Sequence, residues 1–204
     1  MPRTNLSMSI SADGYVAGPQ QSQEHPLGIG GELLHGWHLG AAKDHPVNQQ
    51  VIAEMLQDRG ATIMGRNMFG PVRGDWGDSD WTGWWGDEPP YHCPVFVLTH
   101  HARQSIPLAG GTTFHFVTDG LESAYAQARK VAGERSISIA GGAACGRQAI
   151  TLGLVDEIDL QVNPVILGSG ERLFDGLDAG IPRLELERVL EAPGVAHLRY
   201  RVLR

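Results

Sequence analysis

Short apolar segments with the character of β-strands alternate with helical segments along most of this chain. The strand-like segments lie at 61–64, 95–98 and 137–140, and apolar residues recur at helical intervals over 47–59 and 121–131. When strands and helices alternate in this way, each helix crosses back over the sheet and the next strand runs parallel to the previous one. The alternation therefore predicts an α/β fold with a mainly parallel sheet.

Only strand-like segments follow towards the C-terminal end. Residues 184–190 and 195–202 alternate between apolar and polar, and few residues separate the two segments. Neighbours of this kind form antiparallel pairs. The length of 204 residues suits one domain. We therefore predict a single α/β domain over residues 1–204, in which a mostly parallel central sheet carries antiparallel C-terminal edge strands.

The composition narrows the partners and the compartment. The formal net charge is -7 and no basic stripe is present, which argues against a nucleic-acid-binding surface. Cys93 and Cys145 are far apart and form no C-x-x-C pair, so neither a structural zinc site nor a thioredoxin-like site is predicted. No apolar run resembles a signal peptide or approaches the roughly 20 residues of a membrane span. We expect a cytoplasmic protein without nucleic-acid or membrane partners.

Three predicted strand ends share one pattern, in which small, polar or basic residues follow the apolar strand. The junctions are Met64–Asn67, Leu98–His101 and Ala140–Ala144. In an open α/β sheet, ligands bind beyond the carboxyl ends of the strands. Glycine at such a position lets backbone N–H groups approach a phosphate, and a helix N-terminus adds a partial positive charge. The pattern predicts a nucleotide site at this edge.

Two of the junctions also have plainer interpretations. The pair Gly141-Gly142 suits a pyrophosphate, but a glycine pair also occurs in a tight turn that binds nothing. Gly65-Arg66 places a guanidinium, whose planar shape matches a phosphate, beside a helix start. The alternative for Arg66 is an ordinary surface ion pair. The sequence alone leaves both alternatives open.

The third junction bears on the choice of cofactor. Thr99, His100, His101 and Arg103 close the strand without an acidic residue. Rossmann units that bind NAD usually place Asp or Glu there, to hold the ribose 2′-hydroxyl. A hydroxyl with basic groups suits the 2′-phosphate of NADP instead. The alternative is a loop with two exposed histidines.

Other patterns carry less weight. His35 and His38 stand three residues apart, which places them on one helix face, but no third ligand accompanies them. We interpret them as surface histidines and predict no metal site. Gly168-Ser169-Gly170 lacks the rest of a dinucleotide fingerprint and is predicted to be a turn. No G-x-S-x-G elbow occurs, which excludes the usual serine hydrolase pattern.

Tryptophans are concentrated in one irregular segment. The segment covers residues 70–93 and is rich in Gly, Asp and Pro, so it is predicted to be a long loop. Trp81, Trp84 and Trp85 are suited to stacking on a flat substrate ring. The alternative is that they fill a satellite core or a dimer contact.

Taken together, five segments resemble one family. Met8–Gly18 resembles the family's opening "MSLDGYIAG", and Ile63–Phe69 resembles its "lllGRkTye" segment. Ile139–Gly142, Gly153–Glu157 and Pro164–Gly170 resemble its "GG…gLvDEl…PvlLGxG" stretch. The segments follow one order from about residue 5 to residue 175. The chain thus resembles the dihydrofolate-reductase-like family of RibD C-terminal reductase domains.

The resemblance implies a three-layer fold, a homodimer and an NADPH site. It implies that the three glycine-containing or polar strand ends bind NADPH, and that the loop Asp13–Gly18 covers the nicotinamide. It also implies a cis peptide bond at Gly141-Gly142, as in dihydrofolate reductases. Met68 departs from the family's usual Thr, which removes a hydroxyl ligand for phosphate. The deaminase pattern H-x-E…P-C-x-x-C of the bifunctional enzyme is absent from the sequence.

The function expected from this resemblance is NADPH-dependent hydride transfer to a small heterocycle. The substrate would resemble that of 5-amino-6-(5-phosphoribosylamino)uracil reductase of riboflavin biosynthesis or of dihydrofolate reductase. The expected cofactor-binding residues are Ser9, Val16, Ala17, Gly65, Arg66, Asn67, Met68, Leu98, Thr99, His100, Ala140, Gly141, Gly142, Ala143 and Ala144.

Asp13 is the candidate catalytic group, to orient or protonate the substrate. Its alternative role is that of a turn-forming residue before Gly14. Two other functions remain open at this point. One is an NADPH-binding protein of the same fold without turnover, and the other is an ordinary Rossmann dehydrogenase, which the absent fingerprint weakens.

Overall fold

The architecture comes from a computed structural model that describes residues 3–71, 73–177 and 182–203. The strands are β1 (Thr4–Ser11), β2 (Tyr15–Ala17), β3 (Arg59–Gly65), β4 (Pro94–Leu98), β5 (Ile106–Pro107), β6 (Thr113–Val117), β7 (Ser136–Gly141), β8 (Glu157–Asn163), β9 (Glu171–Arg172), β10 (Arg183–Ala192) and β11 (Val195–Leu203). The helices are α1 (Gly36–Leu39), α2 (Pro46–Leu56), α3 (Arg66–Phe69), α4 (Gly120–Ala132) and α5 (Ala143–Thr151), with 3-10 turns at Gly31–His35 and Ala109–Gly111.

The central sheet has the strand order β10-β11-β8-β1-β7-β3-β4-β6-β5. The strands from β8 to β6 in this order run parallel, whereas β11 pairs antiparallel with both β8 and β10, and β5 pairs antiparallel with β6. The short strands β2 and β9 form a separate pair. The predicted α/β fold, with a mostly parallel sheet and antiparallel C-terminal strands, is confirmed.

Helices and loops cover both faces of the sheet. On one face, α4 and α5 pack their apolar residues, such as Ala124, Ala128 and Ala149, onto the main core. On the other face, α2 packs through Val51 beside β10 and β11. The tryptophan-rich segment 70–93 covers β3, β4 and β6 through a second apolar cluster that includes Trp76. The strands are therefore buried from two sides, as their apolar character requires.

One local prediction is corrected. The helical spacing of apolar residues extends over 47–59, but α2 ends at Leu56, and Gly60 lies inside β3. Glycine at position 60 allows β3 to pack closely against α4, because a Cβ there would lie 2.8 Å from the Cα of Ala132. Leu34 and Trp37 are buried, whereas Leu33 of the first 3-10 turn is exposed.

No helix in the described part of the chain is both long and apolar enough to cross a bilayer.

Candidate functional site

The three predicted junctions meet at one edge of the sheet. Gly65, the last residue of β3, pairs with Leu98, the last residue of β4. On the other side of β3, Met64 pairs with Gly141 of β7. A Cβ built on Gly65 would lie 3.6 Å from the backbone nitrogen of Gly142. The chain thus brings the glycine positions of two junctions within contact distance, with the third junction beside them.

Arg66 links the first junction to the third. Its Nη1 donates a hydrogen bond to Thr99 Oγ1 at 3.0 Å, and its guanidinium lies 3.6 Å from the ring centroid of Trp76. Burial lowers the pKa of Arg66, and repulsion from Arg73 and Arg103 lowers it further. Three arginines therefore lie together at this edge, and Asp75 acts on the pKa of Arg66 in the opposite direction. An anion bound beside the arginines would relieve the repulsion between them further.

Arg103 fixes the tryptophan-rich segment to the same edge. It donates to the carbonyl oxygens of Trp81 at 2.7 Å and Ser79 at 2.9 Å. Its guanidinium also lies 4.8 Å from the Trp76 ring centroid, so Trp76 contacts both Arg66 and Arg103. The Trp76 indole N–H donates to the carbonyl oxygen of His101 at 2.8 Å. These contacts hold two guanidinium groups in place beside the third junction.

The glycine pair has the geometry expected from the resemblance. The Gly141-Gly142 peptide bond is cis, which confirms that prediction. Gly141 has a φ of 132°, and a Cβ there would lie 3.2 Å from the sulfur of Met68 and 3.5 Å from Cε of Met8. Around Gly142, which precedes α5, a Cβ would meet nothing within 4 Å. Gly141 thus packs against the protein, whereas Gly142 faces open space.

The segment expected to cover the nicotinamide is anchored at both sides. Val16 and Ala17 lie in β2, which pairs with β9. Ala17 is buried and Val16 packs against the main core. Ser9, on β1, accepts a hydrogen bond from the indole N–H of Trp37 at 2.9 Å. The hydroxyl of Ser9 is therefore already engaged by a protein group.

Asp13 lies in a network of local hydrogen bonds. Its carboxylate accepts from Ser11 Oγ at 2.6 Å, from the backbone N–H of Leu167 at 3.1 Å and from that of Gly168 at 2.8 Å. The Ser11 hydroxyl is the main reason that the pKa of Asp13 falls to about 2, and the two backbone donors add to the effect. An ionised carboxylate with these partners holds the loop 165–168 against the start of β2, and it has no proton to give at neutral pH.

The role of Asp13 predicts a specific pH dependence. Because its folded-state pKa of about 2 lies below the ordinary value of 3.8, ionised Asp13 stabilises the fold at neutral pH, and this contribution is lost as the pH falls from about 4 towards 2. We expect Asp13→Asn to unfold more easily than the wild type at pH 7, with a difference that shrinks below about pH 4. Denaturant melts at several pH values measure it. A constant difference across that range would show that the carboxylate charge is not the stabilising feature.

The remaining predicted cofactor residues fall into two groups. Asn67, His100 and Ala144 are exposed at the edge that the three junctions form. The others contribute backbone or packing: the half-buried residues are Leu98, Ala140 and Met68, and Ala143 is buried. Which of these residues contact a cofactor stays a prediction.

The tryptophans of the long loop mainly build a satellite core. Trp81 and Trp85 pack against the cluster that contains Phe69 and Phe114, and the Trp81 indole N–H donates to the carbonyl oxygen of Phe69 at 3.0 Å. Trp84 contacts the Trp81 ring edge-on at 4.6 Å. Of the two interpretations of these side chains, the contacts favour the satellite core.

Sequence reasoning missed the roles of Trp37 and Trp76. Trp37 is buried beside His38 and His197, with ring centroids 4.6 Å and 4.9 Å away. The ring of Trp76 contacts two guanidinium groups. No local signal in the sequence indicated which distant residue either indole would contact.

The histidines at 35 and 38 are more than surface groups. His35 Nδ1 and His38 Nε2 share a hydrogen bond of 2.9 Å, and both side chains are half-buried or more. The expectation that His35 and His38 are surface residues is therefore wrong, because both side chains are partly buried. Within the described residues, no three potential metal ligands come together.

A groove of about 460 Å³ lies at the opposite end of the sheet, over the first halves of β1 and β7. Five of its charged side chains form ion pairs: Arg199 contacts Asp159 at 2.8 Å and Glu54 at 3.2 Å, and Arg3 contacts Glu157. These pairs stabilise the strand starts. The groove has no glycine junction, so the candidate site is at the other end of the sheet.

A family model matches nearly the whole chain. The model of the RibD C-terminal domain matches residues 2–198. The chain belongs to the RibD C-terminal domain family. As a member of this family it is a reductase of the riboflavin-pathway type.

Solved structures agree with this fold. A protein assigned to riboflavin biosynthesis in Shewanella sp. PV-4 matches with a TM-score of 0.67, 21% identity and 99% coverage of both chains. The Thermotoga maritima diaminohydroxyphosphoribosylaminopyrimidine deaminase/5-amino-6-(5-phosphoribosylamino)uracil reductase has a TM-score of 0.58 and 14% identity, with 99% of this chain and 57% of that chain covered. Enterococcus faecalis dihydrofolate reductase complexed with NADP(H) has a TM-score of 0.54 and 16% identity, with 99% of this chain and 97% of that chain covered. No match to a curated protein was found.

Proposed function

We propose that this RibD C-terminal domain protein is an NADPH-dependent reductase of a small heterocyclic substrate. One observation carries the proposal: the ends of β3, β4 and β7 meet at one edge, where Arg66 bonds Thr99 at 3.0 Å and Gly65 lies beside Gly142. This edge combines an open glycine, a helix start and three arginines, which is the chemistry that a phosphorylated dinucleotide requires. The structural relative from Enterococcus faecalis is complexed with NADP(H).

The residues at the edge fit such a cofactor. The open space around Gly142 lets backbone N–H groups at the start of α5 approach a pyrophosphate. Arg66 and Arg103 supply the positive charge for a further phosphate. Ser9, Val16 and Ala17 would line the nicotinamide, and Ala140, Gly141, Ala143 and Ala144 would shape the floor. When bound, NADPH supplies the hydride, and the protein positions both partners and excludes water.

The names of two structural relatives support a proposal for the substrate class. The Thermotoga maritima relative is named for 5-amino-6-(5-phosphoribosylamino)uracil reduction, and the Enterococcus faecalis relative for dihydrofolate reduction. We propose a heterocycle with a C=N or C=O group as the substrate. Asp13 would be a positioning residue, because its ionised carboxylate holds the 165–168 loop. The reaction would take place in the cytoplasm, in keeping with the two free buried thiols, Cys93 and Cys145.

Thermal-shift titration tests the cofactor. At about a hundred times its dissociation constant, a ligand stabilises the native state by about 2.7 kcal/mol, or several degrees in Tm for a chain of this size. We expect a larger shift with NADPH than with NADH. Steady oxidation of NADPH with the uracil substrate or dihydrofolate then tests turnover. The absence of a shift with either nucleotide would contradict the proposal.

Arg103→Ala is expected to reduce the preference of the protein for NADPH over NADH. Losing one charge-assisted contact to a 2′-phosphate costs about 1.5–3 kcal/mol, or roughly a 10- to 100-fold loss of NADPH affinity with little change for NADH. Lys130→Met, on the exposed surface of α4, is the matched control for loss of a positive charge. Equal weakening of NADPH and NADH binding would assign Arg103 a role in packing Trp76 and not in phosphate recognition.

A second function is favoured by one observation. Asp13, the expected proton donor, has a pKa of about 2 and three hydrogen-bond donors around it. A protein that binds NADPH without turnover would need no such donor. NADPH binding without oxidation, for both substrates above, is the result that would favour this function.

We also propose that the protein is a homodimer. Leu184, Leu186 and Val189 of the edge strand β10 are 38%, 53% and 54% exposed. They extend the apolar face of β11, where Leu198 and Tyr200 pack against the main core. A contiguous exposed apolar face of this kind is typical of a protein interface. Sedimentation velocity at micromolar concentration tests this proposal, and a purely monomeric species would contradict it.

A further inference from the structure

Two imidazoles form a directly hydrogen-bonded pair. His35 Nδ1 and His38 Nε2 lie 2.9 Å apart, and the rings meet edge to face with centroids 5.1 Å apart. The outer nitrogens, His35 Nε2 and His38 Nδ1, make no further hydrogen bond within the described residues, and neither is among the buried polar atoms without a partner. Both ends of the pair are therefore open to solvent or ligand.

The pair lies beside the segment that would surround the nicotinamide. The 3-10 turn Gly31–His35 packs on β1, β2 and β8. A Cβ on Gly31 would lie 3.1 Å from the backbone nitrogen of Gly18 and 3.8 Å from the Cα of Ala17. Between the two histidines, Trp37 donates to Ser9 of β1 at 2.9 Å. The histidine pair and the proposed hydride site are thus held by the same strands.

The pair is electrically neutral at pH 7. Burial lowers the pKa of His35 to about 4, with repulsion from His38 as a second cause, and burial also lowers the pKa of His38. In a neutral pair, one ring donates the shared hydrogen, so its own outer nitrogen is bare. The other ring must carry its hydrogen on its outer nitrogen. One end of the pair is therefore a donor and the other an acceptor.

We propose that the His35–His38 pair relays the proton that accompanies hydride transfer in this protein. The inference rests on the proposed reductase function. The substrate gains a hydride from the bound cofactor at the carbon of its C=N or C=O group, and the π electrons move to the nitrogen or oxygen. That atom takes the hydrogen of one outer imidazole nitrogen, the shared hydrogen shifts between the rings, and the bare nitrogen at the other end gains a proton from water. The substrate is reduced by two electrons, the cofactor is oxidised, and the pair ends neutral with its tautomers exchanged.

This assignment gives the chain a proton source that Asp13 does not supply. Asp13 is ionised and its oxygens accept three hydrogen bonds. A relay needs no protonated imidazolium, so a low pKa does not disable it. The tautomers reset before the next turnover: the outer nitrogen that gained a proton returns it to water, the shared hydrogen shifts back, and the outer nitrogen that served the substrate takes up a proton.

The test uses His35→Gln and His38→Gln, because an amide keeps a donor and an acceptor but does not pass a proton through. His25→Gln, at an exposed turn, is the matched control. With 5-amino-6-(5-phosphoribosylamino)uracil or dihydrofolate as substrate, we expect kcat to fall about 100-fold in either variant, within the usual range for general acid catalysis. The NADPH-induced thermal shift should equal that of the wild type.

Two further readouts separate a relay from a structural role. Mixtures of light and heavy water should give the wild type a curved dependence of kcat, because more than one proton moves in the step. Nitrogen NMR of the wild type without ligand should show one protonated and one bare outer nitrogen in the pair. A linear dependence on heavy water, or two protonated outer nitrogens, would contradict the relay.

The outcomes also separate this inference from the function on which it rests. If both variants keep the wild-type kcat while NADPH is oxidised, the relay is wrong and the reductase stands. If the wild type binds NADPH but reduces neither substrate, the reductase function fails and the relay fails with it.

Discussion

Gly142→Val is expected to abolish NADPH binding while the chain keeps its fold. A Cβ at Gly142 would meet nothing within 4 Å, and its φ of -75° is open to any residue, so the protein itself has room for the side chain. The same space is where the backbone at the start of α5 would approach a phosphate. Blocking that approach removes at least one charge-assisted hydrogen bond, and the steric clash adds to the loss. We expect the dissociation constant of NADPH to rise at least about 100-fold, or close to 3 kcal/mol.

Isothermal titration with NADPH measures this effect, and a matched glycine provides the control. Gly36 has a φ of -59° and, like Gly142, no heavy atom within 4 Å of a built Cβ. Gly36→Val should therefore cost little stability and leave NADPH affinity unchanged. Both variants should melt within a few degrees of the wild type. Normal NADPH affinity in folded Gly142→Val would remove the cofactor from this edge of the sheet.

The parts of the fold that the sequence predicted depend on local patterns. Alternation of apolar segments gave the strands β4 and β7, and the spacing of apolar residues gave α4. The glycine junctions could be located because Gly65-Arg66 and Gly141-Gly142 each follow a predicted strand, although each pattern taken alone also fits a structure that binds nothing. Parallel strands place their carboxyl ends at one edge, so three local features sufficed to predict one common site.

The parts that the sequence did not predict depend on contacts between distant residues. Asp13 was a candidate catalytic acid, but its carboxylate binds backbone N–H groups at Leu167 and Gly168, more than 150 positions away. No periodicity or motif reports such a contact. Likewise, Trp37 donates to Ser9 across 28 positions. The residues next to such a side chain in the sequence do not show whether it is structural or catalytic, because its partner is set by the tertiary fold.

The tryptophan-rich segment shows the same division in one place. Its composition predicted an irregular loop, and it is one, but its packing was left open between substrate contact and satellite core. In the structure the segment packs as a satellite core around Phe69. Phe69 is completely buried and contacts Trp76 edge-on at 5.9 Å and Phe114 at 5.0 Å. The short helix α3 therefore begins with Arg66 at the candidate site and ends with Phe69, against which the 70–93 loop packs.

Phe69→Ala should have the largest effect on stability. The side chain is 0% exposed and contacts three aromatic rings, Trp76, Phe114 and Phe116, at 5.0–5.9 Å. Truncating a buried phenylalanine to alanine costs about 3–5 kcal/mol, because apolar burial is lost and a cavity remains. Globular domains have total stabilities of about 5–15 kcal/mol, so the loss is a large share. Urea denaturation at 25 °C measures it, and Tm should fall by roughly 10 °C.

The same substitution should also weaken NADPH binding, because Phe69 and Arg66 lie in the same short helix, α3. Phe69 is three residues from Arg66, and the Trp76 ring that Phe69 supports lies against the Arg66 and Arg103 guanidinium groups. We therefore expect NADPH affinity to fall about tenfold in the protein that remains folded, as the two charges lose their fixed positions. Phe174→Ala is the control, since Phe174 is 40% exposed and should cost less than about 1 kcal/mol. If Phe69→Ala lost stability but kept full NADPH affinity, Trp76 would hold the two arginines without support from Phe69.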